Sequence, residues 1–352
     1  MKAVVGLGQA GCNIADQFAK YRQYRIYKID TGLESFKDLV VDDLDNQNRR
    51  ISDFDMPHQN SSENYEKNCP FMKGFFSDLT PKDDVLFIVS GGGNIAGASL
   101  RIMEVLKDCN LSVLYIKPDL ELIGGKKYML NRISFNILQE YARSGLFDKI
   151  YLTYNPALEK AIGKVPIKGY FSKLNKILVS TIHTINVFEN TKPIFENRSD
   201  TAAHHRLSSY GIVDPESGKE KLFFPLDNIE EKCYYIGVSK EALEDDDFFR
   251  ELKANMKKKA EKENIKISYI INESKFDYSY VYVLAHSGEI QTEDNIIAKK
   301  GGITQKTAGG GKSRVEELLE QLIIVTQEVA NRPIEMDGTK VSTAINEANF
   351  RA

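Results

Sequence analysis

The chain has no tryptophan, 10 prolines and 4 cysteines in 352 residues. Cys12, Cys69, Cys109 and Cys233 lie far apart with no CxxC pair, which excludes a zinc-finger spacing and argues against a disulfide framework. A reducing compartment is expected. No run of about 18 apolar residues occurs, so no membrane span is expected. The longest suspect, Leu318 to Val329, is interrupted by Glu320, Gln321, Thr326, Gln327 and Glu328. Neither sign of charge dominates: 47 Lys and Arg face 50 Asp and Glu, a net charge of -3, so a duplex-coating role is not expected. The N-terminus passes from Met1 straight into Ala3-Val4-Val5, without the charged region and cleavage site of a signal peptide, and a cytoplasmic protein is expected. At 42% hydrophobic and 28% charged, the composition is that of a folded globular protein. The length suggests about two domains.

Strand and helix signals alternate through the first half. Lys2 to Leu7, Tyr24 to Ile29, Val85 to Val89, Leu111 to Ile116 and Lys149 to Tyr154 read as strands. Cys12 to Tyr21, Ile95 to Leu106 and Tyr128 to Ser144 read as helices, and residues 37 to 83 hold at most short elements. This is the pattern of βαβ units in a doubly wound parallel sheet. A long helix is expected over Lys168 to Phe188, where Phe171, Leu174, Leu178, Ile182, Ile185 and Phe188 recur at threes and fours. Strand-like runs at Cys233 to Val238, Lys266 to Ile271 and Tyr278 to Leu284, with a charged helix near Asp247 to Glu261, suggest a smaller α+β domain. Glycines at 301, 302 and 309 to 311 lead into a helix expected at about Ser313 to Ala330, then a polar tail.

Two glycine loops carry the chemistry. Residues 6 to 11 read GLGQAG, between a strand and a helix, and Asp30 ends the next strand. Locally this satisfies the dinucleotide fingerprint, and it supports a nicotinamide- or flavin-dependent oxidoreductase. Glycines here let the backbone turn tightly and aim N–H groups at an anion from a helix N-terminus. A second loop, Ser90-Gly91-Gly92-Gly93-Asn94-Ile95-Ala96-Gly97, follows another buried strand. Two such cradles in one sheet suit a polyphosphate held between them, whereas a dinucleotide needs only one.

The ordered set GLGQAGCN, IDTGLESF, LFIVSGGGNIAGA, YIKPDLELIGGKK and IYLTYNPALEKAIG, followed by the long helix, resembles the tubulin/FtsZ superfamily of filament-forming GTPases. In feel it is closest to the divergent phage- and plasmid-encoded tubulin-like proteins. The resemblance covers about residues 2 to 190 well and the rest by pattern. It implies a Rossmann-like GTP-binding domain over 1–167, a central helix over 168–190, an activation-like α+β domain over 191–311, and a C-terminal helix and polar tail over 312–352. It implies GTP or GDP with Mg2+ as cofactors and head-to-tail self-association into a filament that positions or segregates phage or plasmid DNA. An adaptor on DNA or a virion is a further implied partner; no membrane and no direct nucleic-acid contact is implied.

On this resemblance Gly8, Gln9, Ala10, Gly11, Cys12 and Asn13 form the first nucleotide loop. Gly91, Gly92 and Gly93 begin the phosphate signature, normally GGGTGTG or GGGTGSG. Here Asn94 replaces Thr, Ile95 replaces Gly and Ala96 replaces Thr or Ser. One hydroxyl donor becomes an amide and another is lost, so a filament protein with little or no hydrolysis is an alternative. Phe171 would stack on guanine and Asn175, four residues on and on the same helix face, would read its edge. Asn155 would lie near ribose or base, and Glu121 near the ribose hydroxyls. The acidic residues of hydrolysis would lie on the loop after the central helix and act on the neighbouring subunit's nucleotide. Within 192 to 201 the candidates are Asp200 and then Glu196.

Other features are expected to carry no chemistry. Gly311-Lys312-Ser313 imitates a P-loop ending but lacks the required first glycine. Adjacent His204 and His205 should diverge on a strand or helix, so no metal site is expected. His183 is expected to be packed or snorkelling rather than catalytic, and Lys257 to Lys259 to form a solvated face.

Overall fold

The computed structural model describes residues 2–33, 51–163, 165–214 and 217–292. The helix expected at Ser313 to Ala330, the tail and the Gly311-Lys312-Ser313 turn lie outside the described residues, as do residues 34–50.

The chain begins β1 (Lys2–Leu7), α1 (Gly8–Phe18), β2 (Tyr24–Asp30), β3 (Ile51–Asp55), α2 (Ser62–Lys67) and β4 (Asp84–Ser90). A short 3₁₀ helix, Asn94–Ala98, runs into α3 (Ser99–Leu106). Then come β5 (Asn110–Lys117), α4 (Gly125–Ser144), β6 (Lys149–Tyr154), α5 (Asn155–Ile162) and α6 (Tyr170–Glu189). The remainder is β7 (Phe195–Asn197), β8 (Leu207–Val213), β9 (Glu220–Leu222), β10 (Glu231–Val238), α7 (Lys240–Leu243), α8 (Phe248–Glu263), β11 (Lys266–Glu273) and β12 (Tyr280–Ser287).

Strands β3-β2-β1-β4-β5-β6 form a parallel sheet in that order. Its inner strands are apolar on both sides, as a sheet covered on both faces requires. Val4, Leu86, Ile88, Leu114 and Ile116 turn to one face, where Ile14, Ala15 and Phe18 of α1, Leu158 of α5 and the apolar stripe of α6 cover them. Their alternates Val5, Leu7, Phe87, Val89, Val113 and Tyr115 turn to the other, under Ile102, Met103 and Leu106 of α3 and Phe135, Leu138 and Ala142 of α4.

The sheet does not stop at β6. Ile150 and Tyr151 pair in parallel with Leu207 and Ser208, so β8 continues the sheet into β12, β10, β11 and β7. The α6 stripe bridges this junction. Leu174, Ile177, Leu178, Ile182, Ile185 and Phe188 share one core with Val4 and Ile88 and with Tyr210, Tyr235 and Tyr282 of the second half. Phe171 departs from the expected stripe: it is 60% exposed, whereas Leu174 one turn on is fully buried.

The charged run near α8 also differs from the expected solvated face. Lys257 is solvent-exposed, but Lys259 turns inward to Glu220, which also accepts from Lys232 Nζ at 2.7 Å. Lys232 reaches Glu263 at 2.6 Å. A charge network therefore ties α8 to β9 and β10.

Candidate functional site

Both glycine loops leave the carboxyl ends of neighbouring strands, with Leu7 of β1 in register with Val89 of β4. A Cβ on Gly6 would lie 2.5 Å from the Gly11 carbonyl oxygen, and one on Gly11 would lie 2.6 Å from that of Ile88. These two glycines seat the first turn of α1 directly on the strand backbones. Gly8 has φ +70°, a left-handed conformation that side chains resist. The first turn of α1 carries no acidic residue. Its leading N–H groups have no acceptor within the helix, and the helix dipole adds partial positive charge there.

In the second loop the three glycines do different work. A Cβ on Gly91 would come within 1.9 Å of the Tyr115 hydroxyl, which donates to Asn131 Oδ1 at 2.9 Å. Gly91 is therefore a packing glycine. Gly92 meets only Pro118 at 3.8 Å and Gly93 only Ile95 Cγ2 at 3.9 Å, which leaves their backbone open. The two loops touch: a Cβ on Gly8 would lie 2.8 Å from Ile95 Cγ2.

The residues predicted for the two glycine loops meet at this junction. Gln9 and Asn13 are exposed and Ala10 is half-buried. Cys12 is buried, its Sγ 3.4 Å from the Gly6 carbonyl oxygen and 3.7 Å from that of Ile29. Burial, with Asp30 nearby, pushes its thiol up to about 12, so the side chain is a neutral packing group. Asn94 Nδ2 donates to the Asn60 carbonyl at 3.4 Å. Glu121 is exposed after β5, its N–H donating to Asp119 Oδ1 at 3.1 Å. Asn155 opens α5 immediately after β6.

Phe171 and Asn175 reach the same edge through α6. Tyr170 Oη donates to Glu159 Oε2 of α5 at 2.7 Å, and burial, Glu159 and Asp119 push its hydroxyl well above the usual range. Asp119 follows β5, so the start of α6 stands beside the carboxyl-edge loops. Further along, Tyr21 just past α1 stacks on His183 with ring centroids 3.6 Å apart. Phe171 lies 12 residues before His183 in the same helix, which places it about 18 Å from that stack at 1.5 Å per residue. His183 is packed as expected, and burial lowers it to about 4.

Asp30 does not present itself to a ribose. It is 8% exposed and accepts the Thr31 N–H at 2.8 Å, and burial raises its carboxyl. The acidic residue on which the oxidoreductase reading rests is thus engaged by its own turn.

Asp200 and Glu196 lie at the opposite edge. Glu196 is on the edge strand β7, opposite Ile270. Asp200 is exposed and its carbonyl accepts from Lys266 Nζ at 2.8 Å. A cavity of about 350 Å³ is lined by Arg198 to Ala203 together with Asp148 and Lys149, which precede and open β6. Lys2, at the start of β1, lines an adjoining cavity with Arg198, Ser199 and Thr201. The loop therefore borders the amino ends of the strands whose carboxyl ends carry the glycine loops. Six-residue β1 alone separates the two regions by about 20 Å.

Several neighbours of the site escaped the sequence. Asn60 and Ser62 flank the second loop: a Cβ on Gly97 would lie 2.1 Å from the Ser62 carbonyl oxygen. Lys117, fully buried at the end of β5, holds its ammonium 4.1 Å from the Phe135 ring centroid; a lysine closing an apolar strand was the available signal. His204 and His205 do not diverge as expected. They lie in a loop, where strand and helix periodicity do not apply, and both rings turn toward Glu230.

No protein-family model and no curated protein matches the chain. Solved structures do. CetZ from Methanosaeta thermophila strain DSM 6194 is similar at 14% identity and TM-score 0.60, over 99% of this chain and 97% of that one. A GTPγS-form protofilament of Bacillus thuringiensis serovar israelensis TubZ is similar at 14% identity and TM-score 0.58, over 94% and 95%. An FtsZ dimer of M. jannaschii is similar at 12% identity and TM-score 0.58, over 88% and 94%. The chain has the fold of the tubulin/FtsZ superfamily. No helix among the described residues is long and apolar enough to cross a membrane.

Proposed function

We propose that this protein is a tubulin-like cytoskeletal GTPase that binds GTP at the carboxyl edge of its sheet and assembles head-to-tail. The observation that carries the reading is the placement of its two half-sites. The contacting glycine loops suit a polyphosphate, and exposed Phe171 suits a base, while Asp200 and Glu196 stand at the other end of the same subunit. No single chain can bring them together. Stacking subunits in one direction does, and such a heterologous contact propagates as a filament unless it closes. The similar TubZ structure is a GTPγS-form protofilament, which supports both the nucleotide and the assembly.

In this reading the backbone N–H groups of Gly8, Gln9 and Ala10 at the start of α1 hold phosphate, Gly11, Cys12 and Asn13 complete that loop, and Gly91 to Ile95 close over it. Glu121 and Asn155 face the ribose side, and Phe171 and Asn175 hold the guanine. Neither loop carries a carboxylate, so Mg2+ would be held by phosphate oxygens and water, a common arrangement for this small cation. The neighbour's Asp200, with Glu196 as second candidate, orients the attacking water. The filament works in the cytoplasm. Positioning or segregation of phage or plasmid DNA through an adaptor rests on the sequence resemblance.

One observation favours a slow or absent hydrolytic step. Ile95 sits against Gly8, and Asn94 bonds the Asn60 carbonyl, where the superfamily places glycine and threonine.

Light scattering and phosphate release, measured in parallel with GTP, GDP, a slowly hydrolysed analogue and NADH, test these readings. GTP-dependent scattering with phosphate release supports the GTPase. Scattering without release supports the non-hydrolysing filament. A response to NADH alone overturns both. Asp200→Ala should retain GTP and lose turnover. Mixed in equal parts with a variant defective only in nucleotide binding, it should recover about a quarter of wild-type turnover, because one junction in four joins an intact nucleotide site to an intact loop.

A further inference from the structure

We propose that His204, His205 and Glu230 form a binding site for a divalent transition-metal cation of the Zn2+ class. The site joins the loop before β8 to the residue before β10. His205 is buried, with Nε2 2.8 Å from Glu230 Oε2 and Nδ1 3.2 Å from Glu231 Oε2. His204 is mostly exposed and turns its Nε2 to the same Glu230 oxygen at 3.8 Å, too far for a hydrogen bond. Two imidazole nitrogens and one carboxylate oxygen thus lie within 4.8 Å of one another.

The spacing suits a metal. With Zn–N and Zn–O bonds of about 2.1 Å, tetrahedral ligands stand about 3.4 Å apart. The observed 2.8 and 3.8 Å fall on either side of that value, so seating an ion needs shifts of about half an ångström. The surroundings are also those of a metal site. A neutral imidazole has one N–H and one lone pair. Glu231, 2% exposed and held by Lys266 Nζ at 3.3 Å, accepts from Nδ1. That bond fixes the tautomer and aims the Nε2 lone pair at the cation position, the usual outer partner of a ligating histidine. The Gly288 N–H bonds Glu230. Two imidazoles and a carboxylate select Zn2+ over Mg2+ or Ca2+, with water as fourth ligand. Asp200 lies four residues before His204, so a bound ion would pin the loop that carries it.

The test is a titration of full-length, chelator-treated protein with Co2+, followed by its visible absorption. One equivalent should bind with the bands of a tetrahedral N/O site, and Zn2+ should displace it. Alkylating the accessible cysteines should leave the bands unchanged. His204→Ala, an exposed position, should keep the fold by circular dichroism and weaken binding at least about tenfold, and Glu230→Gln should do the same. No stoichiometric uptake would reduce the cluster to an ion pair of His205 with two glutamates. Uptake unaffected by either variant would place the metal elsewhere. Either result overturns the proposal.

Discussion

Gly8→Ala probes the contact between the two loops, and the structure sets its size. At φ +70° an alanine pays the left-handed penalty of about 1–2 kcal/mol. Its methyl would also lie 2.8 Å from Ile95 Cγ2, well inside the usual carbon contact of about 3.5–4.0 Å. Overpacking of that kind costs about 1–3 kcal/mol. The two terms separate in a double-mutant cycle. Ile95→Ala removes Cγ2 and with it the clash, but leaves the backbone strain. Gly8→Ala should therefore lose roughly 2–5 kcal/mol by urea unfolding, and the double variant should recover about 1–3 kcal/mol relative to the additive expectation. GTP affinity measured on the same proteins should follow: weakest in Gly8→Ala, partly restored in the double variant. If the two substitutions add within about 0.5 kcal/mol, the loops do not touch and one ligand cannot bridge them.

Phe171→Ala should weaken GTP binding by about 1–3 kcal/mol, roughly 5- to 150-fold in Kd, with little change in melting temperature because the ring is 60% exposed; unchanged Kd by calorimetry refutes its stacking role. His183, lowered to about 4 by burial, is neutral in the fold, whereas its unfolded value lies near 6.5. The unfolded chain therefore binds the extra proton between those values, and the part of the stability due to His183 should fall as pH drops from about 6.5 to 4, by at most roughly 3 kcal/mol, beside a similar loss from His286, which burial lowers to about 3. His183→Gln should make that part of the profile shallower in chemical denaturation at pH 7 and 4.5, the remainder coming from His286; an identical slope refutes the assignment.

The parallel half of the fold was legible in its inner strands, which are short apolar runs, and in its helices, which carry periodic stripes; the edge strand β3, Ile51-Ser-Asp-Phe-Asp, carries two aspartates and gave no such signal. Strand β8 was not. Leu207-Ser-Ser-Tyr-Gly-Ile-Val has no continuous apolar run, yet Ser208 and Ser209 are fully buried, the first 2.7 Å from His286 Nδ1 and the second accepting the Phe224 N–H at 2.9 Å. Their partners are distant in sequence, so no local pattern announces them. That omission hid the pairing with β6 and hence the continuity of the sheet. The glycine loops could be read because backbone geometry is local chemistry. Asp30 misled because position alone does not tell whether a carboxylate faces a crevice or its own turn. Phe171 belonged to an apolar period that extended one turn beyond the surface it covers. His204 and His205 converge only because a loop frees them from either period.

Continuity of the sheet bears directly on how assembly and nucleotide could be coupled. A hinge between β6 and β8 would let the loop carrying Asp200 drift relative to the glycine loops, and register between stacked subunits would blur. Backbone pairing at Ile150 and Tyr151 removes that freedom. Helix α6 reinforces it from one face. Its 20 residues span about 30 Å, with Phe171 at the end where the guanine is proposed to bind and Glu189 at the other, where Arg198 of the Asp200 loop pairs with Glu189 and Tyr235 donates to it. A displacement of Phe171 on base binding would have to move the helix as a body, because Leu174 to Phe188 is packed along both halves of the sheet. On the proposed function, the rod would deliver that displacement to Arg198 and to the surface that a neighbouring subunit would meet. Weakening the far end, as Glu189→Gln does, should therefore leave GTP affinity intact and raise the critical concentration for assembly; unaltered assembly would show that the pair is not part of the coupling.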